Sequence, residues 1–209
     1  MTVFTGATRS CPGTSWPPMA ATLARFVSEV ASPPCLGLIA ALLTARATGT
    51  WAAWAWAGLH ALLAVLLPVL YIAWLVRRGR VTNMHLRVRE ERFRPLVFSI
   101  VAGACSVVAL GLGGAPHLLV VLAVLHLVQL AFFLGLTLRW KVSVHCAAAS
   151  GLAVLAVFLW GTGGALLGPG VPLIAWSRVY LARHTPLQTM GGALLGAGLW
   201  IPTLAIWGG

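Results

Sequence analysis

Long apolar stretches, separated by short polar or glycine-rich turns, dominate the chain from residue 33 onward. Most are close to the length of about 20 residues that an α-helix needs to cross a bilayer. The pattern predicts spans at 33–45, 51–76, 96–114, 118–138, 142–160, 164–182 and 186–207. The first is short, so whether 33–46 crosses the membrane stays open. We therefore expect an all-α, polytopic transmembrane bundle of six to seven helices.

The chain before residue 33 has a different pattern. Residues 1–18 are rich in Gly, Ser, Thr and Pro, which predicts a loose tail. In 20–31, apolar residues recur at helical spacing, and Arg25 and Glu29 form an i,i+4 pair. This predicts a short helix that lies at the membrane interface. We therefore separate 1–32, the N-terminal tail and interfacial helix, from the transmembrane domain at 33–209.

The composition excludes the main soluble classes. Hydrophobic residues make up 60% of the 209 residues and charged residues only 8%, against roughly 25% charged residues in a soluble domain. A soluble enzyme, a disordered chain and a coiled coil are therefore ruled out. The four cysteines form no CxxC pair, and we interpret them as small buried hydrophobic residues.

The net charge of +11 would indicate nucleic-acid binding in a soluble protein. Here the position of the charges explains it. With seven alternating spans, 13 of the 14 Lys and Arg residues fall on the side of the N-terminal tail and the 77–95 loop, and only Arg46 falls opposite. The positive-inside rule places the first side in the cytoplasm. We expect an integral membrane protein, in a bacterial plasma membrane, whose partner is the bilayer and not a nucleic acid.

The first of three polar clusters on this side contains Arg87 and Arg94, which lie seven residues apart on one helical face. The planar guanidinium matches the oxygens of a phosphate group. An alternative is a solvated helix ending at Pro95, in which Glu90 and Glu91 pair with the two arginines.

The second cluster runs from Lys141 to Cys146 and contains Ser143 and His145, where a basic turn meets an apolar span. Both side chains could reach one pocket, or Ser143 could cap the helix beside an interfacial histidine. The third cluster is Ser177, Arg178 and His184. An arginine inside an apolar segment is costly and predicts a functional site.

The last helix is predicted to begin at Thr185 and Pro186. His184 would then face the positive end of this helix, which attracts an anion and disfavours imidazolium. A neutral imidazole is what a nucleophilic histidine requires. Gln188 either holds His184 or completes a capping box with Thr185.

With these residues the sequence resembles the type 2 phosphatidic acid phosphatases, whose motifs are Lys-x6-Arg-Pro, Pro-Ser-Gly-His and Ser-Arg-x5-His-x3-Asp. The matching residues here are Arg87-x6-Arg94-Pro95, Val142-Ser143-Val144-His145 and Ser177-Arg178-x5-His184-x3-Gln188. Glutamine at the last position is similar to dolichyl diphosphatases and glucose-6-phosphatases. The departures are Arg for Lys, Val142 and Val144 for Pro and Gly, and a helical hairpin at 96–138 between the first two motifs.

The resemblance implies a membrane phosphatase domain at 33–209 that hydrolyses a lipid or polyprenyl phosphate or diphosphate through a phosphohistidine, without a metal or other cofactor. It implies that His184 is the nucleophile, that His145 protonates the leaving oxygen and that Gln188 orients His184. The residues that would bind phosphate are Arg87, Arg94, Ser143 and Arg178. The alternative is a catalytically impaired relative that binds a phosphorylated lipid or a partner. The sequence indicates no oligomeric state.

Two further patterns concern packing. His60 and His126 lie within apolar spans, which predicts hydrogen bonds between helices. Gly192 and Gly196 are four residues apart, which predicts close packing of the last helix on a neighbour.

Overall fold

The computed structural model describes residues 18–84, 90–137 and 139–207, and these contain nine α-helices and no strand. The helices are α1 Pro18–Val30, α2 Pro33–Thr48, α3 Trp51–His60, α4 Leu67–Arg77, α5 Phe93–Gly113, α6 His117–Thr137, α7 Val144–Trp160, α8 Gly170–Tyr180 and α9 Pro186–Trp207. A π-helical segment, Ala61–Leu66, joins α3 to α4. Two 3-10 segments, Glu90–Arg92 and Gly161–Leu167, lie before α5 and after α7.

Five helical segments of the described chain are long and apolar enough to cross a membrane. They are Trp51–Arg77, Phe93–Gly113, His117–Leu136, Val144–Leu167 and Pro186–Trp207. Met19–Val30 and Pro33–Thr48 are bent by 51° and add a sixth span if they form one broken crossing. The prediction of an all-α fold is therefore confirmed for the described residues, and five or six helical segments are candidates for spanning a membrane, against the six to seven expected.

The span predicted at 164–182 is not one continuous helix. By length and composition alone, the apolar segment that begins with α7 extends to Leu167. The helix itself ends at Trp160, because Gly161, with φ 57° and ψ −128°, turns the chain. Gly164 then lies so close to α7 that a Cβ would overlap with the carbonyl group of Ala156. The 3-10 segment therefore runs back along α7, and α8 continues the return. Proline and glycine both disfavour a continuous α-helix here, because Pro169 and Pro172 lack an N–H and glycine costs more backbone entropy.

Among the described helices, α7 and α9 share the most extensive contact. A Cβ on Gly192 would overlap with the carbonyl oxygen of Ser143, and one on Gly196 would overlap with that of Ala147. The close packing predicted for the two glycines is therefore confirmed. The matching spacing makes the two helices parallel, and the backbone N–H of Ser143 donates to the carbonyl oxygen of Gln188 at 3.2 Å. The starts of α7 and α9 thus lie side by side.

Two histidines inside the bundle are joined by hydrogen bonds. His60 is fully buried; its Nδ1 lies 2.9 Å from Oγ of Ser106, and its Nε2 lies 2.9 Å from Nδ1 of His126. This confirms the predicted hydrogen bonds between helices. The π-helical segment follows His60 directly. Pro68 cannot donate to the carbonyl group of Ala64, and a wider turn before it relieves the clash of the proline ring.

Helix α1 exposes an apolar face made by Met19, Leu23, Phe26 and Val30. On the other face, Ala24 and Ser28 are buried where α1 packs on α8. An amphipathic helix with an exposed apolar face suits the interfacial position that we expect. Its buried face joins it to the bundle, although the sequence analysis separated 1–32 from the rest.

Candidate functional site

A cavity of about 550 Å³ lies between the helices and has two chemically different regions. One is polar and lined by Glu29, Arg92, His145, Arg178 and His184. The larger region is apolar and is lined by side chains that include Leu36, Val69 and Leu130. A cavity with this division suits an amphiphilic ligand, with an anionic group at one end and an apolar tail in the other.

A tight turn between α8 and α9 positions His184. The carbonyl oxygen of Arg178 accepts hydrogen bonds from the backbone N–H groups of Arg183, at 3.0 Å, and His184, at 3.2 Å. Within the turn, Ala182 has φ 51°, a left-handed conformation that is uncommon for a residue other than glycine. The turn holds the imidazole of His184 beside Arg178, where it is only 8% exposed.

One side-chain oxygen fixes the orientation of this imidazole. Oε1 of Gln188 accepts the backbone N–H of Thr185 at 3.2 Å and lies 3.2 Å from Nδ1 of His184. Because the atom facing the Thr185 N–H must be an acceptor, Nδ1 of His184 must carry the hydrogen. Nε2 then keeps its lone pair. The N–H of Gln188 also donates to Oγ1 of Thr185 at 3.3 Å, so the capping box and the contact with His184 coexist.

The surroundings keep His184 neutral. Burial is the largest cause of a lowered pKa at His184, and together with the charges of Arg178, Lys141 and Arg92 it brings the pKa from 6.5 to about 4, while the hydrogen bond with Gln188 acts in the opposite direction. At neutral pH the ring is therefore an uncharged nitrogen base. This is the state in which a histidine can act as a nucleophile.

Arg178 is 4% exposed and incompletely satisfied. Its Nη1 donates to Oγ of Ser28 at 2.7 Å, and Nη1 of Arg183 donates to the same oxygen at 3.4 Å. The buried Nε of Arg178 has no hydrogen-bond partner in the described chain. A buried donor left without an acceptor costs about 1–3 kcal/mol. An anionic oxygen in the cavity would satisfy it.

Positive charge is in excess around His184. Burial lowers the pKa of Lys141, and the charges of Arg92 and Arg178 lower it further. Glu29 is the carboxylate that lines the described part of the cavity, and Glu91 instead accepts hydrogen bonds from Thr82. Clustered cations with a single carboxylate favour binding of an anion.

The residues of the first predicted cluster are arranged differently from the expectation. Arg94 is exposed and does not line the cavity, whereas Arg92 does. Two residues correspond to a rotation of about 200° on an α-helix, so the two side chains leave the start of α5 in different directions. Arg87 lies outside the described residues.

Ser143 and His145, from the second cluster, lie in different surroundings. His145 is 8% exposed and lines the cavity. Ser143 is fully buried and caps α7, where its Oγ accepts the backbone N–H of Cys146 at 3.4 Å, and it does not line the cavity. The capping interpretation of Ser143 is therefore the one that the structure supports.

No phosphate-binding role was predicted from the sequence for Ser28, Arg92 or Lys141, although Lys141 begins the second cluster. Lys141 and Arg92 belong to the basic segments between spans, and the positive-inside rule already accounts for their charge. Their charge alone therefore did not indicate that they lie near His184. Ser28 carries no signal in the sequence, because its contact with Arg178 joins residues 150 positions apart.

Within the described residues, no group of three or more His, Cys, Asp or Glu residues is placed to hold a metal ion. No protein-family model, curated protein or solved structure matches this chain. What the fold and the cavity establish is a helical protein, with helices long enough to span a membrane, that holds a buried histidine beside the buried Arg178 and the partly exposed Arg92 and Lys141.

Proposed function

We propose that this protein is an integral membrane phosphatase that hydrolyses a lipid or polyprenyl phosphate or diphosphate. The observation that carries the proposal is the position of His184. Its neutral imidazole lies among Arg92, Lys141 and Arg178, at the polar end of an apolar cavity. This arrangement combines a nucleophile, phosphate-binding cations and space for a lipid tail.

In the first step, the lone pair on Nε2 of His184 attacks phosphorus, and the bond from phosphorus to the ester oxygen breaks. Gln188 keeps the hydrogen on Nδ1, so the attacking nitrogen is always Nε2. His145 lines the same region of the cavity and gives a proton to the leaving oxygen. Arg178, with its unsatisfied Nε, and Arg92 stabilise the charge on the other phosphate oxygens.

In the second step, water attacks phosphorus and the bond from nitrogen to phosphorus breaks. His145 takes a proton from this water and so returns to its starting state. Inorganic phosphate leaves, and His184 is again neutral. The role that the sequence analysis gave to Arg94 passes to Arg92 in this scheme, because Arg92 lines the cavity.

Two observations favour a second candidate, a protein that binds phosphorylated lipid without turning it over. Ser143 uses its hydroxyl to cap α7, and Arg94 is directed away from the cavity. These are two of the residues that the family resemblance assigns to phosphate binding. A pocket with fewer phosphate contacts would still bind the head group, but it would stabilise the transition state less.

Phosphate release separates the two candidates. The protein, purified in detergent, is incubated with phosphatidate, phosphatidylglycerophosphate, undecaprenyl diphosphate and a short prenyl diphosphate, with EDTA present. We expect release from at least one of them, and an acid-labile, base-stable phosphorylated protein after rapid quenching with a labelled substrate. Binding without release or labelling would favour the second candidate.

We further propose that the site faces the cytoplasm of a bacterial plasma membrane. The support is the number of basic residues near this end of the bundle that do not line the cavity, such as Arg77, Arg80 and Arg139. The chemistry of the site does not explain them, whereas the positive-inside rule does.

A further inference from the structure

A second group of polar side chains, His126, Gln129 and Trp200, also lines the cavity and forms a polar patch. The ring of Trp200 lies against Gly151, which is six residues beyond His145 on α7. Six residues of α-helix correspond to about 9 Å, so the patch is well inside the bundle. Polar groups at such depth are costly, and they predict a function.

Gln129 presents a donor to the cavity. The indole N–H of Trp200 donates to Oε1 of Gln129 at 2.7 Å, and because an indole nitrogen only donates, the contact identifies this atom as the oxygen. The other end of the amide is therefore the NH2 group. No hydrogen bond within the described chain uses that group, although Gln129 lines the cavity and is 7% exposed.

The hydrogen on His126 can be assigned in the same way, starting from Ser106. The Ser106 hydroxyl is fully buried, and its partner in the described chain is Nδ1 of His60. If Ser106 accepted a hydrogen from Nδ1, its own O–H would have no acceptor among the described residues, so we assign Ser106 as the donor. Nε2 of His60 then carries the hydrogen and donates to Nδ1 of His126. The remaining nitrogen of His126, Nε2, must carry a hydrogen, and no described residue accepts it.

His126 and Gln129 are three residues apart on α6 and so share one face. The patch therefore offers two donor groups to the cavity, the amide NH2 of Gln129 and the Nε2–H of His126, and needs an acceptor. We infer that this patch binds an oxygen atom in the apolar part of the ligand, which makes the substrate an oxygenated lipid, such as a diacylglycerol phosphate, and not a prenyl phosphate. The inference deepens the proposed function and rests on it for the position of the phosphate.

A prenyl chain has no oxygen beyond its phosphate, so its binding would cover both donors without an acceptor. Loss of one buried hydrogen bond of this kind corresponds to roughly a tenfold loss of affinity. An ester carbonyl, or a hydroxyl on an acyl chain, would satisfy the donors. Binding of diacylglycerol phosphate, compared with its diether analogue, tests the carbonyl oxygen, and binding of a hydroxyalkyl phosphate tests the hydroxyl.

Binding is measured in detergent with the His184→Ala variant, which does not consume its ligand. The ligands are diacylglycerol phosphate, its diether analogue, a hydroxyalkyl phosphate and geranylgeranyl phosphate. We expect at least tenfold tighter binding of the diacyl or the hydroxyl compound than of geranylgeranyl phosphate. Adding Gln129→Leu or His126→Phe should remove most of this preference and leave geranylgeranyl phosphate affinity within about twofold.

The matched control is Val128→Ala, on the same helix but 36% exposed on its outer surface, which should keep the preference. Two independent substitutions are used because Gln129→Leu also removes the partner of Trp200. Equal affinity for oxygenated and prenyl phosphates, or equal weakening of both in the two variants, would overturn the inference.

Phosphate release by the unmodified protein is measured separately. If no ligand is hydrolysed but the binding preference is present, the proposed phosphatase activity fails and this inference stands. If phosphate is released and the affinities are equal, the activity stands and the inference fails.

Discussion

Oε1 of Gln188 lies 3.2 Å from Nδ1 of His184 and also accepts the backbone N–H of Thr185, the residue before the last helix. One amide oxygen therefore caps α9 and sets which nitrogen of the imidazole carries the hydrogen. This coupling links the orientation of the His184 ring to the start of α9. It also means that stability and activity must be separated by experiment at this position.

We expect His184→Ala to abolish turnover while the protein still folds. Loss of a nucleophile typically reduces the rate by a factor on the order of 10⁴ or more. Phosphate release in detergent measures the loss, and the thermal unfolding midpoint reports the fold. His117→Ala is the matched control, since His117 is an exposed histidine at the start of α6 and should be dispensable. Substantial activity in the His184 variant would contradict the mechanism.

At position 188 we expect Gln188→Ala to slow formation of the phosphorylated protein much more than it lowers stability. Thr185→Ala is the control, because it removes the capping contact at Oγ1 and leaves the contact of Gln188 with His184. Loss of that cap costs about 0.5–2 kcal/mol with near-normal turnover. Gln188→Asp should be tolerated or faster, because a carboxylate stabilises the imidazolium. A well-folded but inactive aspartate variant would be evidence against orientation of His184 by residue 188.

The pH profile should reflect the low pKa of His184. Burial and the neighbouring cations lower this pKa to about 4, so we expect kcat/KM to fall on acidification with a midpoint near 4 and not near 6.5. The folded pKa lies below the unfolded value, so the unfolded chain binds more protons between these pH values. Stability from this group is therefore present above pH 6.5 and is lost as the pH falls towards 4. Unfolding of His184→Asn should lack this part of the pH dependence, and an identical profile in both proteins would contradict the assignment.

Close packing of α7 and α9 should be necessary for activity. A methyl group at Gly196 would overlap with the carbonyl of Ala147 and with Oγ of Ser150, whereas one at Gly198 has open space. We expect Gly196→Ala to destabilise the protein by about 1–3 kcal/mol and to reduce turnover, because it separates the helix starts that hold His145 and His184. Gly198→Ala should be neutral or stabilising by up to about 1 kcal/mol. Equal unfolding midpoints for the two variants would show that the contact is unimportant.

Orientation is tested by labelling in intact cells. After the four native cysteines are replaced, a cysteine at Arg80 or Arg139, which are both exposed, is treated with a membrane-impermeant thiol reagent. We expect labelling only after permeabilisation, because both positions belong to the basic, cytoplasmic side. A cysteine at His117, at the opposite end of the bundle, should be labelled without permeabilisation. The reverse pattern would place the site outside.

The parts of the fold that depend on local pattern were predictable. Apolar length gave most of the helices, and the Gly192 and Gly196 spacing gave the packing of α9 on α7. The return from α7 to α8 was less predictable. Its backbone depends on Gly161 at positive φ, and a window of average hydropathy does not detect one turning residue.

The site was predictable where a residue acts within its own helix or turn. His184, Arg178 and His145 are brought together because the helices that carry them start or end at the same side. The choice between Arg92 and Arg94 depends on the rotation of the first turn of α5, and a shift of one residue in the helix start changes this rotation by about 100°. Contacts such as Ser28 with Arg178 depend on tertiary packing alone.

The hydrogen bond between Ser28 and Arg178 has a consequence for biosynthesis. The two residues are 150 positions apart, and His184 follows Arg178 by six. During translation, α1 cannot make this contact before Arg178 has been synthesised. A nascent chain that ends before Arg178 therefore cannot form the site. Assembly of the site follows the synthesis of the helices from α1 to α7.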